Sequence, residues 1–578
     1  MSGICGYVGA DDPGTLERML AAIDYRGDTS LVERGAGYAL GYRFWKGRPG
    51  KAPAIVREGA RVIACCGTLA PPVASPAQAI LERTASDPRA LGDIVGAFAF
   101  ARYDETTREL VLGRDPFGVR SLYYVEHAGR LYFASELKQL LAIASLPVEI
   151  DATAIHKYLT FSFVPGEAVP VRGVRRLLPA HTLVYRDGVL DAQPYFALAE
   201  SIDTNLELAE AVKQVRRLSK QAVVRRLNGE AEVGLFLSGG LDSSAVAYWL
   251  KEAGANVRAF SLDFGERSVE LEQAREVAKV LGIRLEIVPA GGADIARVFE
   301  DVVARLDLPF GDAVTAPQYL LGKAARDAGV IAVFNGEGGD QLFGGWTSKP
   351  MIAAEMYGDL YAHQEHTREE TYLRSYHRFY GLEDELYTPA WKAQVGGPGQ
   401  RRAHLRPYLG DEAAGVFLNR VRLADISLKG SQNILPRAER MANAWGLDVR
   451  VPLFDRPLAE ASFRMPPDMK LHGACEKYVL KLAMQKRLPE EIVWRKKFGM
   501  SVPVTDFVLE QPVLGLVEEL LGERSLKARG FFRPEFVASL RAGHDVPGET
   551  RRRRVGERLW ALAMLEAWLR FVDRRGAR

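Results

Sequence analysis

The sequence predicts an α/β protein made of a β-rich N-terminal domain and a C-terminal domain with a parallel sheet flanked by helices. The chain has 578 residues, which is too long for one hydrophobic core. Up to about residue 195, short apolar runs alternate with turns, as in a β-sandwich. From residue 203, helical patterns alternate with short apolar strands, which indicates βαβ units. We therefore expect domains at 1–195 and 203–578.

The elements of the N-terminal domain are short apolar strands bounded by turn residues. Each run is rich in β-branched and aromatic residues, and this composition favours a strand. The runs are, in chain order, RVIACCGTL, AFAFARYD, ELVLGRD, RLYFAS and HTLVYRDG.

The elements of the C-terminal domain alternate strictly. A long amphipathic helix is predicted first, followed by strand, helix, strand, helix and strand. The segments are ELAEAVKQVRRLSKQAVVRRL, EVGLFLS, SSAVAYWLKEAG, NVRAFSLDF, EQAREVAKVLG and RLEIVPA. Residues 346–430 and 555–578 are expected to be mostly helical and to pack around the sheet. The aromatic-rich segment 371–391 is interpreted as helical core, with a groove for an extended peptide as the alternative.

Composition excludes several classes of protein. The 76 Lys and Arg nearly balance the 73 Asp and Glu, and a net charge of +3 argues against a nucleic-acid-binding surface. The basic run Arg551–Arg554 is interpreted as a solvated loop or helix start, with an acidic partner as the alternative. Four cysteines without metal-ligand spacing indicate a reduced environment. With no signal sequence after Met1 and no bilayer-spanning apolar stretch, we expect a cytoplasmic protein that does not bind membranes.

The strongest chemical signal is the string SGGLDSS, which follows a predicted buried strand and opens a predicted helix. Glycines allow the backbone to approach an anion, and serine hydroxyls together with helix N-terminal N–H groups can bind phosphate oxygens. Asp242 lies where it could hold a Mg²⁺ on the same phosphates. Because the string lacks Gly-Lys-Ser/Thr, it differs from the Walker type of phosphate loop.

This string resembles the signature of the ATP-pyrophosphatase (PP-loop) family, whose members cleave ATP to AMP and pyrophosphate and adenylate a substrate. Further stretches resemble the asparagine synthetase superfamily over nearly the whole chain. In the C-terminal half they are RLDLPFGDAVTAP, IAVFNGEGGDQLFGGW, PRAERMANAWGLDVRVPLFD and EKYVLKLAMQKRLPEEIVWRKKFGMSVPV. In the N-terminal half they are VLGRDPFGVRSLYYVEHAGRLYFASELK and YLTFSFVPGEAVPVRGVRRLLP.

The resemblance implies a site for ATP and Mg²⁺. The ATP- and pyrophosphate-binding residues it implies are Leu237, Ser238, Gly239, Gly240, Asp242, Ser243, Ser244, Ser261, Leu262, Gly336 and Arg440. Among these, Leu237, Ser261 and Leu262 would line the adenine, and Arg440, together with Arg450, would orient carboxylates or phosphates. Asp242 and Asp340 would hold Mg²⁺.

Two catalytic residues follow from the same resemblance. Glu337 falls where the family places a residue that takes a proton from the attacking amine, a role that suits a carboxylate whose pKa is raised by burial. Lys497 falls where a lysine stabilises negative charge on the adenylate and the tetrahedral intermediate. Without the family context, Lys497 would be interpreted as part of a surface basic cluster.

The N-terminal half resembles the glutaminase domain of class II amidotransferases, an Ntn-hydrolase-like fold with an N-terminal Cys nucleophile. Here Ser2 occupies that position, natural or engineered, and Cys66 stands where the family has the Asn of its oxyanion hole. Gly67 remains beside it, and Arg43 resembles the family's carboxylate-binding Arg. The segment 73–81 carries no acid that could bind the glutamine amine. We therefore expect a vestigial glutaminase site.

This combination is similar to superfamily members that no longer need ammonia: β-lactam synthetase, carbapenam synthetase and the lasso-peptide cyclases. The β-lactam formers carry a Tyr at the position of Glu337, so the chain looks more like the cyclases. The leading hypothesis is a macrolactam synthetase acting on a precursor peptide, with a leader peptidase and a leader-recognition protein as partners. The alternative is an asparagine synthetase-like enzyme that uses free or partner-supplied ammonia. A non-catalytic scaffold is disfavoured because SGGLDSS, Glu337, Asp340 and Lys497 are all intact.

Overall fold

The computed structural model describes most of the chain, in two domains. The described residues are 2–47, 54–345, 351–352, 367–375, 378–395, 399–495, 502–543 and 549–576. The last strand of the N-terminal domain ends at Pro194, and the first long helix of the C-terminal domain begins at Leu208.

The N-terminal domain contains twelve described strands and four short helices. The strands are β1 (Gly3–Val8), β2 (Thr29–Gly35), β3 (Tyr38–Phe44), β4 (Ile55–Glu58), β5 (Arg61–Leu69), β6 (Gly96–Asp104), β7 (Glu109–Arg114), β8 (Tyr123–His127), β9 (Arg130–Ala134), β10 (Arg175–Arg176), β11 (His181–Arg186) and β12 (Val189–Pro194). The helices are α1 (Thr15–Ala21), α2 (Pro76–Arg83), α3 (Leu137–Leu140) and α4 (Ala152–Phe161), with a 3₁₀ turn at Asp24–Arg26.

These strands form two six-stranded antiparallel sheets, ordered β10-β8-β9-β1-β3-β2 and β12-β11-β7-β6-β5-β4. The period of two along β5 explains the packing, because alternate side chains point to opposite faces. Val62 and Ala64 join the apolar core between the sheets, whereas Ile63 and Cys65 join a second core that includes Ile80 of α2. The predicted sandwich is confirmed, and β5 spans the whole predicted run RVIACCGTL.

The C-terminal domain is built on a parallel sheet with the strand order β15-β14-β13-β16-β17. Its strands are β13 (Val233–Phe236), β14 (Val257–Asp263), β15 (Arg284–Pro289), β16 (Ala332–Phe334) and β17 (Asp448–Arg450). Helices cover both faces, so the strands are short apolar runs without clear alternation. The alternation predicted from residue 203 is confirmed.

The described helices of this domain surround the sheet. They are α5 (Leu208–Val224), α6 (Leu241–Glu252), α7 (Leu271–Leu281), α8 (Gly292–Leu306), α9 (Thr315–Asp327), α10 (Gly339–Phe343), α11 (Arg368–Ser375), α12 (Glu383–Leu386), α13 (Pro389–Lys392), α14 (Gly399–Ala403), α15 (Arg406–Leu409), α16 (Phe417–Ala424), α17 (Leu435–Asn443), α18 (Arg456–Arg464), α19 (Tyr478–Met484), α20 (Glu490–Val493), α21 (Val504–Phe507), α22 (Val513–Leu520), α23 (Glu523–Arg529), α24 (Pro534–Ala542) and α25 (Glu549–Gly576). Short 3₁₀ turns lie at Gly265–Arg267 and Pro467–Met469.

One helical segment departs from α geometry. Residues Asp425–Ile434 form a π-helix that joins α16 to α17, a conformation that is rare and is frequently found at functional sites. The hydroxyl of Ser431 donates to the carbonyl of Ile426, five residues back, at 2.8 Å. The sequence predicted helix up to residue 430, but it did not predict the π geometry.

The two domains share a buried interface. One apolar cluster combines residues of α4 with residues of α25, and the Tyr158 hydroxyl donates to the Ala561 carbonyl at 2.8 Å. In the aromatic-rich segment, Tyr372, Tyr387 and Trp391 are buried, in agreement with the interpretation as core. Among the described residues, no helix is long and apolar enough to cross a membrane.

Candidate active site

A cavity of about 280 Å³ opens at the carboxyl edge of the parallel sheet. The ends of β13, β14 and β16 and the loops that follow them line it, and this edge is where open α/β sheets bind ligands. Of the predicted ATP- and metal-binding residues, those that line the cavity are Leu237, Ser238, Gly240, Asp242, Ser243, Ser261, Leu262, Gly336 and Asp340, together with the predicted base Glu337. The structure therefore brings most of the predicted site together.

The loop after β13 is shaped by glycine and by its own serines. Gly239 has φ +77°, and a Cβ there would lie 2.6 Å from the backbone nitrogen of Ala274, so only glycine fits. The hydroxyls of Ser238 and Ser243 lie 3.1 Å apart, and the Gly240 N–H donates to Ser238 Oγ at 3.3 Å. These bonds preorganise the loop around the start of α6.

The N-terminus of α6 faces the cavity and supplies the anion-binding end. Its N-cap is Gly240, and the first turn leaves backbone N–H groups for an anion to accept from. Two predicted residues of this string do not line the cavity. Ser244 is fully buried inside the helix packing, and Gly239 is packed against the start of α7. The direct phosphate contacts expected of the Ser244 side chain are therefore corrected: its position one turn into the helix turns it into the core.

Two carboxylates meet at one lysine that the sequence reasoning missed. Lys477 Nζ lies 2.5 Å from Asp242 Oδ2 and 2.7 Å from Asp340 Oδ1. Burial lowers the pKa of Lys477, but the charges of Asp242 and Asp340 outweigh burial, so the net pKa is raised and the ammonium stays charged. Lys477 lies in the segment EKYVLKLAM, but nothing in the sequence distinguishes it from other lysines.

The aspartate pair fits a Mg²⁺ ion. The second oxygen of Asp242, Oδ1, is buried and has no hydrogen-bond partner within the described part of the chain. The described cavity lining carries five carboxylates, those of Asp242, Glu270, Glu337, Asp340 and Glu476, against three cations, Lys477, Lys481 and Arg495. A polyanionic nucleotide would be repelled by this excess unless a cation bridged it, and Mg²⁺ is usually held by one or two carboxylates plus phosphates.

Glu337 lines the cavity from the loop between β16 and α10. Its backbone N–H donates to Asn335 Oδ1 at 3.2 Å, which holds the turn. The side chain is half-buried, and its Oε1 lies 3.6 Å from Nη2 of Arg437 in α17. Gly336 before it must be glycine, because a Cβ there would lie 2.4 Å from the backbone nitrogen of Ser243.

The other end of the cavity is apolar. Leu237, Ser261 and Leu262 line it together with aromatic side chains at the ends of β13 and β14, Phe236 and Phe260. A flat apolar slot beside an anion-binding helix terminus suits a purine base with its phosphates. These three residues line the cavity as expected, and their contact with adenine stays a prediction.

The predicted roles of Arg440 and Arg450 need correction, because neither side chain lines the cavity. Arg440 is fully buried at the domain interface, where it donates to Glu439 Oε2 at 2.8 Å and to the Ser135 carbonyl at 2.9 Å. Arg450 ends β17 and is paired with Glu230. Both guanidiniums are held by buried carboxylates, which fixes them far more strongly than a transient ligand would.

Lys497 lies outside the described residues, so its predicted role stays a prediction. Lys481 and Glu476, which the sequence reasoning did not single out, line the cavity beside Lys477. All three belong to the same short segment around α19. The fold brings this segment to the cavity that is also lined by the end of β13.

The predicted vestigial site lies at the start of β1. Ser2 is 3% exposed, and its carbonyl accepts from Arg26 Nη1 at 3.1 Å. Cys66 is buried in β5, with Sγ 3.9 Å from Ser135 Oγ. Arg43 donates to the Gly27 carbonyl at 2.8 Å and to Ser30 Oγ at 3.1 Å.

Gly67, the remaining residue of that site, has φ +113°. A Cβ there would lie 2.0 Å from the Ala97 carbonyl oxygen, so the backbone of β5 at this point requires glycine. The strand geometry is therefore preserved although the side chains around it differ from those expected of a glutaminase.

The interface between the domains carries a buried ionic network. Arg26 donates to both carboxylate oxygens of Glu439 at 3.0 Å, and Arg120 donates to Glu439 at 3.2 Å and to Asp448 at 2.8 Å. Glu439 is 1% exposed. Arg26 also donates to the Ser2 carbonyl, so this network links the residue before β1 to α17, the helix that presents Arg437 to Glu337.

A parallel sheet whose carboxyl edge joins a glycine–serine loop, a helix N-terminus and paired aspartates defines an ATP-cleaving enzyme of the PP-loop type. Comparison with known families agrees: residues 214–570 match the asparagine synthase family, and residues 81–196 match the glutamine amidotransferase domain. The chain belongs to the asparagine synthase family and is an ATP-dependent, AMP-forming carbon–nitrogen ligase.

Curated relatives are moderately similar. The glutamine-hydrolyzing asparagine synthetase 1 of Bacillus subtilis (strain 168) is 27% identical over 499 residues, covering 82% of this chain and 77% of that protein. A putative glutamine-hydrolyzing asparagine synthetase of Mycobacterium tuberculosis (strain ATCC 25618 / H37Rv) is 28% identical over 443 residues, covering 71% and 67%. Amidase chyE of Penicillium rubens is 31% identical over 272 residues, covering 43% of this chain and 40% of that protein.

Proposed function

We propose that this ligase is a macrolactam synthetase of the lasso-peptide cyclase type, in which the activated carboxylate and the attacking amine belong to one peptide. One observation carries the proposal. The synthetase cavity is complete in its described part, whereas the glutaminase position holds a buried Ser2 and a Cys66 where the family has its nucleophile and an oxyanion donor. Such a chain can activate a carboxylate but has to find its amine elsewhere.

The adenylation step uses the polar end of the cavity. The α6 N-terminus and the hydroxyls of Ser238 and Ser243 bind phosphate oxygens, and Lys477 offsets charge on the departing pyrophosphate. Asp242 and Asp340 would hold Mg²⁺, and the ion would supply positive charge beside the phosphates. A substrate carboxylate oxygen attacks the α-phosphorus, the bond to the bridging oxygen of pyrophosphate breaks, and an acyl-adenylate remains.

The amide-forming step uses the wall that carries Glu337. The amine nitrogen attacks the acyl carbon of the adenylate, the new C–N bond forms, and the C–O bond to AMP breaks. The proton lost from the amine passes to the Glu337 carboxylate, which lies at the cavity surface. The products are the amide, AMP and pyrophosphate.

An inactive glutaminase follows from the N-terminal site. Loss of one oxyanion donor typically costs about 10²–10³ in rate, and here the nucleophile differs as well. We infer that the N-terminal domain is retained because its α4 and its ionic network are part of the synthetase core.

The substrate of the proposed reaction is a precursor peptide, prepared by a leader peptidase and a leader-recognition protein. The test incubates the enzyme with ATP, Mg²⁺ and a candidate processed peptide and analyses the peptide by mass spectrometry. A product lighter by one water, resistant to an exopeptidase, supports the proposal. An unchanged peptide in the presence of active leader peptidase, together with asparagine formed from aspartate, overturns it.

An asparagine synthetase-like enzyme that uses free or partner-supplied ammonia is the second candidate. It is favoured by the asparagine synthetase of Bacillus subtilis, which aligns with 82% of this chain. Glu337 would accept the proton lost by an attacking ammonia as well as that lost by a peptide amine. Asparagine formation with ammonium chloride but not with glutamine identifies this function.

A further inference from the structure

Arg437 is a buried arginine beside the proposed base. It belongs to α17, directly after the π-helix Asp425–Ile434, and its side chain is 0% exposed. No motif singled it out in the sequence. Its guanidinium contacts residues from three different segments: the loop before α9, α9 itself and the loop after β16.

Two of these contacts anchor the guanidinium. Nη1 of Arg437 is ion-paired with Asp312 Oδ2, and Nε donates to Gln318 Oε1 at 3.1 Å. Burial raises the pKa of Asp312, but the charges of Arg437, Arg378 and Lys429 outweigh burial and lower its net pKa. Asp312 therefore stays a fixed anion that holds one edge of the guanidinium.

The third contact is incomplete. Nη2 of Arg437 is buried without a hydrogen-bond partner among the described residues, and it lies 3.6 Å from Glu337 Oε1. Leaving a buried charged donor unpaired is unfavourable, so such a group in a native structure calls for an explanation. The distance is only a few tenths of an ångström longer than a hydrogen bond.

We propose that Arg437 is a positioning residue for Glu337. Anchored by Asp312 and Gln318, its guanidinium holds the Glu337 carboxylate toward the cavity while the amine attacks the adenylate. Arg437 touches neither the nucleotide loop nor the aspartate pair, so it acts on amide formation and leaves adenylation unaffected. This inference rests on the proposed role of Glu337 in amide formation.

The test separates the two half-reactions in Arg437→Gln and Arg437→Lys. Adenylation is measured as pyrophosphate release with an N-acetylated processed peptide, which has a carboxylate but no free N-terminal amine. Amide formation is measured with the free peptide, or with aspartate and ammonium chloride if the wild type turns over only those. Wild-type activity with one pair identifies the substrate, so failure of the macrolactam proposal is distinguished from failure of the Arg437 proposal.

For Arg437→Gln we expect amide formation to fall about 10²-fold or more, the scale of general-base catalysis. Pyrophosphate release and the KM for ATP should stay within about threefold of wild type. Arg437→Lys keeps a charge and should recover part of the rate. Hydroxylamine is largely neutral near pH 7 and needs less help from a base. With hydroxylamine as the amine, the rate of amide formation in Arg437→Gln should therefore lie closer to the wild-type rate.

Two further variants separate positioning from folding. Arg422 is an equally buried arginine, 1% exposed, that donates to Asn419, to Ser462 and to the Leu342 carbonyl, so Arg422→Gln controls for the loss of a buried guanidinium. If Arg437→Gln does not fold, Asp312→Asn removes the anchor with little change in shape and should give the same selective loss.

The proposal is overturned if the half-reactions fall in parallel in Arg437→Gln, as expected for Arg422→Gln. It is also overturned if amide formation is unchanged in a folded Arg437 variant, or if Asp312→Asn slows adenylation and amide formation equally.

Discussion

The buried ionic network between the domains allows a quantitative prediction of how much stability Glu439→Gln loses. Burial raises the pKa of Glu439, but Arg26, Arg440 and Arg120 outweigh it and bring the pKa to about 2, against an ordinary value of 4.5. That difference corresponds to about 3 kcal/mol of stabilisation by the ionised carboxylate. Removing one partner of a buried ion pair costs about 3–5 kcal/mol in general. The stabilisation obtained from the pKa difference therefore agrees with the general cost of removing one partner of a buried ion pair.

The measurement is the free energy of unfolding in urea at pH 7 for wild type, Glu439→Gln and Glu439→Asp. We expect Glu439→Gln to lose about 3 kcal/mol, and Glu439→Asp, which keeps the charge at shorter reach, to lose less. Glu105→Gln is the matched control, since its ion pair with Arg57 is largely solvent-accessible at 35% and 37% exposure. That variant should unfold like wild type.

The pH dependence has a definite sign. The folded-state pKa of Glu439 lies below its unfolded value, so its stabilisation is complete above about pH 4.5 and is lost as the pH falls toward 2. The gap between wild type and Glu439→Gln should be constant from pH 8 to pH 5 and should shrink at lower pH. If the free energies of unfolding of wild type and Glu439→Gln differ by less than about 0.5 kcal/mol at pH 7, the range of ordinary surface changes, the buried carboxylate does not stabilise the interface as described.

Three further predictions concern the two sites. Gly336→Ala places a Cβ 2.4 Å from the Ser243 backbone nitrogen, so the KM for ATP in pyrophosphate release should rise about tenfold or more, and an unchanged KM would count against the site. Lys477→Met leaves Asp242 and Asp340 without their shared cation and should slow pyrophosphate release about 10- to 100-fold at saturating Mg²⁺; a wild-type rate would contradict the role of this lysine. Ser2→Cys should release no glutamate from glutamine, because Cys66 still stands at the oxyanion position; measurable glutamate release would show that the pocket is intact.

The fold was largely predictable because its signals are local. The apolar run RVIACCGTL and the helical spacing along 207–227 correspond to β5 and to α5, whose buried face includes Val212, Val215 and Leu218. The π geometry of Asp425–Ile434 was not predictable, since the register of its hydrogen bonds depends on what packs around it.

The candidate site was predictable where a motif is contiguous and not where it is assembled by the fold. SGGLDSS and Asn335–Asp340 gave nine of the residues that line the cavity, including Asp242, Asp340 and Glu337. Lys477 and Arg437 meet Asp242 and Glu337 only in three dimensions, and a single Lys or Arg carries no signal in one sequence. Arg440 was misassigned because an arginine paired with a carboxylate of the other domain, here Glu136, and a phosphate ligand look alike in sequence.

We propose that this ligase takes its amine from its own substrate and not from glutamine. The most direct test measures pyrophosphate release from ATP and Mg²⁺ in three parallel reactions: aspartate with ammonium, aspartate with glutamine, and a candidate precursor peptide with its leader peptidase. We expect pyrophosphate release only with the processed peptide, together with a peptide product that is one water lighter. Release and asparagine formation with glutamine would contradict it.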